Sequence, residues 1–173
     1  MNDIFVEQLV KRNSTTKDTV MKAGAFVLAF IITMAAFTFI PSFAMFIMIA
    51  AFFGAWFATS FFKIEYEYIL TNGEMDIDCV YNKSRRKRLH TFRLSDVEIM
   101  AHIEDNNHKN SFNSAEQIKD FSSGETKENT FCLLVKLNGK NTKVIIEPND
   151  NMMNNIKRYI TPRKLFLPYN LRK

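Results

Sequence analysis

The sequence predicts two structural classes in one chain: a helical hairpin that crosses a membrane, and a mainly-β antiparallel sandwich or barrel capped by a C-terminal helix. Three observations predict it. Residues 23–62 contain no Asp, Glu, Lys, Arg or His, and Pro41-Ser42 stands almost at their middle. Residues 64–70 and 75–81 alternate apolar and polar on either side of Asn72-Gly73. Near the end of the chain, Met152, Met153, Ile156, Tyr159 and Ile160 form one apolar stripe at helical spacing.

The apolar stretch is too long for one span. As a single helix it would run about 60 Å at roughly 1.5 Å per residue, against a hydrocarbon core of about 30 Å. Proline interrupts the helical hydrogen-bond ladder and pushes the residue before it out of the α region. Two spans of about residues 23–40 and 43–62 result. The first starts too late for a removable signal peptide and has no small-residue cleavage site before the second. Thr15-Thr16-Lys17-Asp18 matches a capping box and sets where the first membrane helix begins. The only polar side chains inside are Thr33, Thr38, Ser42, Thr59 and Ser60. Intramembrane ionisable groups mark ion and proton paths, so a transporter or channel is not expected. Small residues, among them Ala36, Ala51, Gly54, Ala55 and Ala58, let helices approach closely and suit closure of the hairpin. Trp56 lies within two turns of the charged end, as an interfacial anchor would.

Charge orients the hairpin. Lys11, Arg12, Lys17, Lys22, Lys63 and the run Arg85-Arg86-Lys87-Arg88 lie on one side, and the Pro41-Ser42 side carries none. The positive-inside rule then predicts a cell-membrane protein with two spans and both termini in the cytoplasm. Cys79 and Cys132 are the only cysteines, widely spaced, which suits a reducing compartment. The expected division is an amphipathic segment at 1–15, the hairpin at 16–62, a cytoplasmic domain at 63–161 with a polar insertion at 104–130, and a basic, aromatic tail at 162–173.

Each element has its own signal. Asn2 or Asp3 caps a short first helix with Phe5, Val6, Leu9 and Val10 on one stripe. It either lies in the membrane interface or packs on the cytoplasmic domain. Asn-Gly between alternating strands is a strong hairpin cue, since both turn residues need positive φ. The two-residue turn pairs Leu70 with Met75, Tyr68 with Ile77, Tyr66 with Cys79 and Ile64 with Tyr81, all on one face. The other face then sets Glu67 against Asp78, and directly opposed like charges destabilise a sheet. A third strand over Arg85–Arg93 supplies the counter-charge, with Arg88 facing Asp78 and His90 facing Asp76. Residues 94–103 read as a fourth strand, with a turn at Ser95-Asp96 before it as an option, and residues 104–130 as a polar segment that is either mobile or functional, with a helix over 114–121. Residues 131–137 and 142–147 form a second hairpin about Asn138-Gly139, and the C-terminal helix starts at Pro148-Asn149-Asp150 and ends at Thr161-Pro162. The tail either touches the membrane surface or closes over the sheet.

The basic run has two readings. Its side chains neutralise the acidic sheet face, or they meet anionic headgroups. A strand of seven residues at about 3.3 Å each returns the loop at 82–86 close to the membrane, where each basic residue contributes about 1 kcal/mol. The expected anionic-lipid contacts are Lys83, Arg85, Arg86, Lys87 and Arg88.

Strands followed by one amphipathic helix, directly after two spans, resemble the bacterial pleckstrin-homology-like (PH-like) membrane proteins. Residues 68–75 (Tyr-Ile-Leu-Thr-Asn-Gly-Glu-Met), the strand ending in Phe92-Arg93-Leu94-Ser95-Asp96-Val97-Glu98 and the helix from Asn149 carry that resemblance, over about residues 63–161. The opening twelve residues, the spans and the first hairpin are together similar to a family of small two-span proteins of Gram-positive bacteria that has no assigned function. The resemblance implies a bent antiparallel sandwich capped by a helix, used to bind lipid headgroups or proteins rather than to catalyse. The long insertion at 104–130 departs from the pattern, and so does the lack of a tryptophan in the last helix, so inositol-lipid specificity does not carry over.

No zinc spacing, phosphate-cradling glycine loop or serine nucleophile elbow occurs. No enzyme activity, cofactor or metal is expected. Glu65, Glu67, Asp76 and Asp78 gather on one sheet face, but the adjacent arginines argue against a cation site. The expectation is a membrane-anchored, non-catalytic binding or adaptor module, integral to the lipid bilayer, with anionic headgroups and an unidentified protein as partners and no nucleic acid. The alternative is an accessory subunit of a larger membrane complex. Homo-oligomerisation is left open.

Overall fold

The computed structural model describes residues 4–167, which divide into two compact units. One comprises Ser14–Ile64 with Tyr81–Arg85, and the other holds the remaining strands and the C-terminal helix.

The first unit is the helix pair. Helix α1 runs Thr16–Phe39 and α2 runs Ala44–Ser60, joined by a 3-10 turn at Pro41–Phe43. Thr16–Phe39, and Pro41–Ser60 with the turn included, are each long and apolar enough to cross a membrane by length and composition. The capping box forms as the sequence predicts: the Asp18 N–H donates to Thr15 Oγ1 at 3.3 Å, and the Thr15 N–H to Asp18 Oδ2 at 3.0 Å. In α1, Ala29, Thr33 and Ala36 are buried, and in α2 Ala44 and Ala55. Spacings of three, four and eleven residues keep each set on one helix face. Small side chains therefore line the pairing face, while Phe30, Ile31, Phe37, Phe46, Phe53 and Trp56 point outward and are exposed. The few hydroxyls bond within their own helices: Thr33 Oγ1 donates to the Ala29 carbonyl at 2.8 Å, and Thr59 Oγ1 to that of Trp56 at 2.7 Å.

The second unit contains two sheets. The first has the order β1-β2-β3-β4, with β1 Phe5–Lys11, β2 Ile64–Thr71, β3 Glu74–Tyr81 and β4 Arg85–Arg93. The second has the order β6-β8-β7-β5-β9, with β5 Ile99–His102, β6 Gln117–Asp120, β7 Phe131–Leu137, β8 Lys140–Ile146 and β9 Leu165–Phe166. Asn72 at φ 48° and Gly73 at φ 88° make the predicted two-residue turn between β2 and β3. Tyr68, Leu70, Met75 and Ile77 are fully buried on the predicted face. They pack with Phe131, Leu133, Val144 and Ile146, and with Met152 and Ile156 of α4, Asp150–Tyr159. A smaller core of Ala101, Phe112, Cys132 and Leu134 lies apart from it.

Three expectations are corrected. The opening segment is a strand, not a helix: β1 pairs antiparallel with β2, Val6 with Leu70 and Val10 with Tyr66. Val6 and Val10 satisfy both a helical and an alternating pattern, and pairing with the open edge of β2 decides between them. Residues 104–130 are structured. Short helix α3, Lys109–Asn113, buries Phe112, and β6 runs parallel to β8 where a helix was expected. Within residues 94–103 the optional turn at Ser95-Asp96 is present as a 3-10 turn over Leu94–Asp96, and the strand that follows it is β5. His90 does not face Asp76. Thr91 Oγ1 donates to Asp76 instead, and His90 lies 5.7 Å from the Phe121 ring. Leu89 and His90 are adjacent and both lie on the core side, so the strand's alternation slips by one residue there. Part of the expected tail, Leu165–Phe166, adds β9 in parallel to β5, and residues 168–173 lie outside the described range.

Candidate functional site

The residues that carry most charge lie on β3, β4 and the turn between them. Alternation puts Glu67 of β2 and Asp78 of β3 on the sheet face away from the main core. Glu67 is nevertheless only 2% exposed. Burial raises its pKa above the ordinary glutamate range, Arg86 opposes that rise, and Glu7 and Asp78 add to it. One of its oxygens, Oε1, lies 3.1 Å from Arg86 Nη2, and Oε2 has no hydrogen-bond partner. Arg88 answers the next two carboxylates: Nε is 3.0 Å from Asp78 Oδ1 and Nη1 is 2.9 Å from Asp76 Oδ2. The Asp78 hydrogen bond raises the Arg88 pKa further. Counter-charge for opposed acids is thus supplied by every second residue of the basic strand.

The five residues predicted to contact anionic lipid therefore separate into two groups. Arg86 and Arg88 are held by carboxylates. Lys83, Arg85 and Lys87 are exposed and form no ion pair among the described residues. The turn that carries Lys83 is tight. Asn82 and Lys83 have φ of 48° and 56°, and the Ser84 N–H donates to the Tyr81 carbonyl at 3.0 Å. The Asn82 N–H donates to the Lys63 carbonyl at 2.9 Å, which fastens the turn to the residue that ends the apolar stretch. Lys83 and Arg85 belong to the helical unit, and Lys87 to the sheet unit. Lys63 and Lys22 complete the cation group at the hairpin's charged end. Lys22 Nζ stands 6.0 Å from the centroid of the Phe62 ring and donates to Ser14 Oγ at 3.0 Å. The sequence signal for both was their position bounding the uncharged stretch.

A buried polar network fixes the segment after β6. Tyr68 Oη donates to the Phe121 carbonyl at 2.6 Å and accepts the Glu147 N–H at 3.2 Å. The Glu147 carboxylate accepts Ser123 Oγ at 2.7 Å and Lys127 Nζ at 3.3 Å. These bonds hold a loop that would otherwise have no regular structure. An open cleft of about 500 Å³ lies beside the first turn, lined by Thr71, Asn72, Gly73, Glu74, Arg93, Ser95 and Tyr159. Among the described residues, no three His, Cys, Asp or Glu side chains converge as metal ligands would. Cys79 and Cys132 are buried free thiols, and burial pushes the Cys132 pKa up.

A family described as "Bacterial PH-like domain (DUF6106)" matches residues 2–167. No curated protein matches, and no solved structure does.

Proposed function

The chain belongs to that bacterial PH-like family, and from this premise we propose that it is a membrane-anchored binding module, without catalytic activity, whose sheet domain is tethered at the cytoplasmic surface of the cell membrane. One observation carries the reading. The helix pair is inserted between β1 and β2, so the chain leaves a sheet at Lys11 and returns to the same sheet at Ile64. The connections are residues 12–15 and 61–63, about 10–15 Å each at full extension. Both connections between the sheet and the hairpin are therefore short in sequence.

The helix surfaces support the membrane part. Helix α1 has 24 residues and α2 has 17, or about 36 Å and 26 Å at 1.5 Å per residue, near the roughly 30 Å of a hydrocarbon core. Their large side chains face outward while Ala29, Ala36, Ala44 and Ala55 face inward, the reverse of a water-soluble helix pair. The binding part is supported by how the charges are used. Arg86 and Arg88 neutralise buried acids rather than converge on a reacting centre.

Cell fractionation with a C-terminal reporter tests the reading. The full-length protein should stay with membranes through an alkaline carbonate wash and leave them only in detergent. The reporter should be shielded from impermeant reagents in intact cells. Recovery as a soluble protein without detergent, or labelling of the reporter from outside, overturns it.

A further inference from the structure

We propose that Lys63, Lys83 and Arg85 form a site for the phosphate of an anionic phospholipid at the charged end of the hairpin. The inference rests on the membrane reading above and names the lipid class that such an anchor selects.

Charge is partitioned unevenly in the helical unit. Ser14–Ile64 with Tyr81–Arg85 contains Lys17, Lys22, Lys63, Lys83 and Arg85 against a single acid, Asp18. That acid is buried and committed to the N-cap of α1. The opposite end, Pro41–Phe43, carries no charge at all. An anion is therefore attracted to one end of the hairpin only.

The turn holds its cations in place. A lysine at positive φ is uncommon, because its Cβ crowds the backbone. Here the strained residue bears the charge, and the hydrogen bond from the Asn82 N–H to the Lys63 carbonyl ties the residue before Lys83 to the one that follows the apolar stretch. Arg86 and Arg88, next along β4, are occupied by Glu67, Asp76 and Asp78 and are excluded from the site.

The apolar neighbours select a lipid over a free anion. Trp56, Phe57 and Phe61 are exposed in the last turns before Lys63. A phospholipid places its phosphate directly above its acyl chains, so one molecule meets both the cations and these rings. A free phosphate meets only the cations.

Trp56 is the chain's single tryptophan and is itself the probe. The full-length protein is reconstituted into phosphatidylcholine bilayers containing either brominated phosphatidylglycerol or brominated phosphatidylcholine. Bromine on a contacting acyl chain quenches the indole. The wild type should prefer the anionic lipid by about fivefold or more, the factor expected for each basic residue near an anionic surface. Lys83→Asn with Arg85→Gln, which keeps a residue tolerant of positive φ in the turn, should bring the two lipids close to equal quenching. Lys136→Gln with Lys140→Gln removes the same charge from the β7–β8 hairpin and should leave the preference intact. High salt should shrink the wild-type preference. Equal quenching of the wild type by both lipids overturns the site and leaves the membrane reading standing, as does a preference that survives the turn variant. No quenching by either lipid overturns the membrane reading, and the site with it.

Discussion

Arg86 Nη2 lies 3.1 Å from Oε1 of Glu67, and this contact joins an exposed arginine on an outer strand to a carboxylate that is almost wholly buried. The other Glu67 oxygen has no hydrogen-bond partner. Arg86 is thus the cation on which a costly buried charge depends. Arg86→Gln should destabilise the sheet domain by about 1–3 kcal/mol, the range for a buried polar group left unsatisfied. Lys87→Gln, one residue away and exposed with no ion pair among the described residues, should change stability by less than about 0.5 kcal/mol. Thermal unfolding of the detergent-solubilised protein compares the two.

The same residue gives a pH dependence with a defined sign. Burial raises the Glu67 pKa above its ordinary value of 4.5. The folded state therefore binds a proton more tightly than the unfolded state does. Its contribution to stability is fully present below pH 4.5 and is lost as pH rises through the raised folded value. Glu67→Gln should flatten that part of the stability curve. The difference between wild-type and variant unfolding free energies, followed from pH 4 upward, measures it. A difference that grows in favour of the wild type as pH rises has the wrong sign.

Gly73 is required twice over. Its φ is 88°, and a Cβ built on it would lie 2.7 Å from Cδ1 of Tyr159. Gly139 in the β7–β8 turn has φ 79° and open space around it. Gly139→Ala should therefore lose only the backbone preference, about 1 kcal/mol. Gly73→Ala should lose more, because the Tyr159 ring must also move. Tyr159→Ala combined with Gly73→Ala should recover that excess, so a double-mutant cycle in chemical denaturation isolates the steric part.

The parts of the fold visible in the sequence are those where local chemistry and long-range packing agree. Pro41 breaks the apolar stretch, Thr15 and Asp18 close a capping box, and Asn72-Gly73 admits a single register that also segregates apolar residues. The opposed Glu67 and Asp78 foretold a basic strand beside them. What could not be read depended on partners distant in sequence. Residues 5–11 fit a helix as well as a strand until β2 offers an edge. Residues 117–120 are a strand only because β8 lies alongside, and Phe121 to Lys127 are fixed by Tyr68 and Glu147. At the candidate site, Lys83 and Arg85 were legible as charge. Their separation from Arg86 and Arg88 was not, because it turns on which residues meet the acids.

Tyr68 ties the insertion to the core. Its hydroxyl serves both the Phe121 carbonyl and the Glu147 N–H, and the ring is fully buried. Tyr68→Phe keeps the ring and removes both bonds, leaving buried backbone groups unpaired. A loss of about 1–3 kcal/mol is expected. Amide hydrogen exchange should speed up at residues 121–127 more than in β7, since the loop has fewer ways to stay closed. Uniform loss of protection across the domain would assign the hydroxyl to global stability instead.

Ala55 and Gly54 stand next to each other on α2 and test what the small residues are for. Ala55 is buried in the helix pair, whereas Gly54 is exposed with nothing within 4 Å of where its Cβ would stand. If the small residues serve closure of the hairpin, Ala55→Leu forces the helices apart and should cost about 1–3 kcal/mol, the range for overpacking. Gly54→Leu would then add an apolar side chain to an open surface and leave stability near wild type or better. If they serve contact between copies of the chain, the order reverses, and Gly54→Leu disrupts association while Ala55→Leu does not. Thermal stability and crosslinking in detergent, measured on both variants, separate the two. Closure is expected, because Ala29, Thr33 and Ala36 of α1 are buried opposite Ala44 and Ala55 within a single chain.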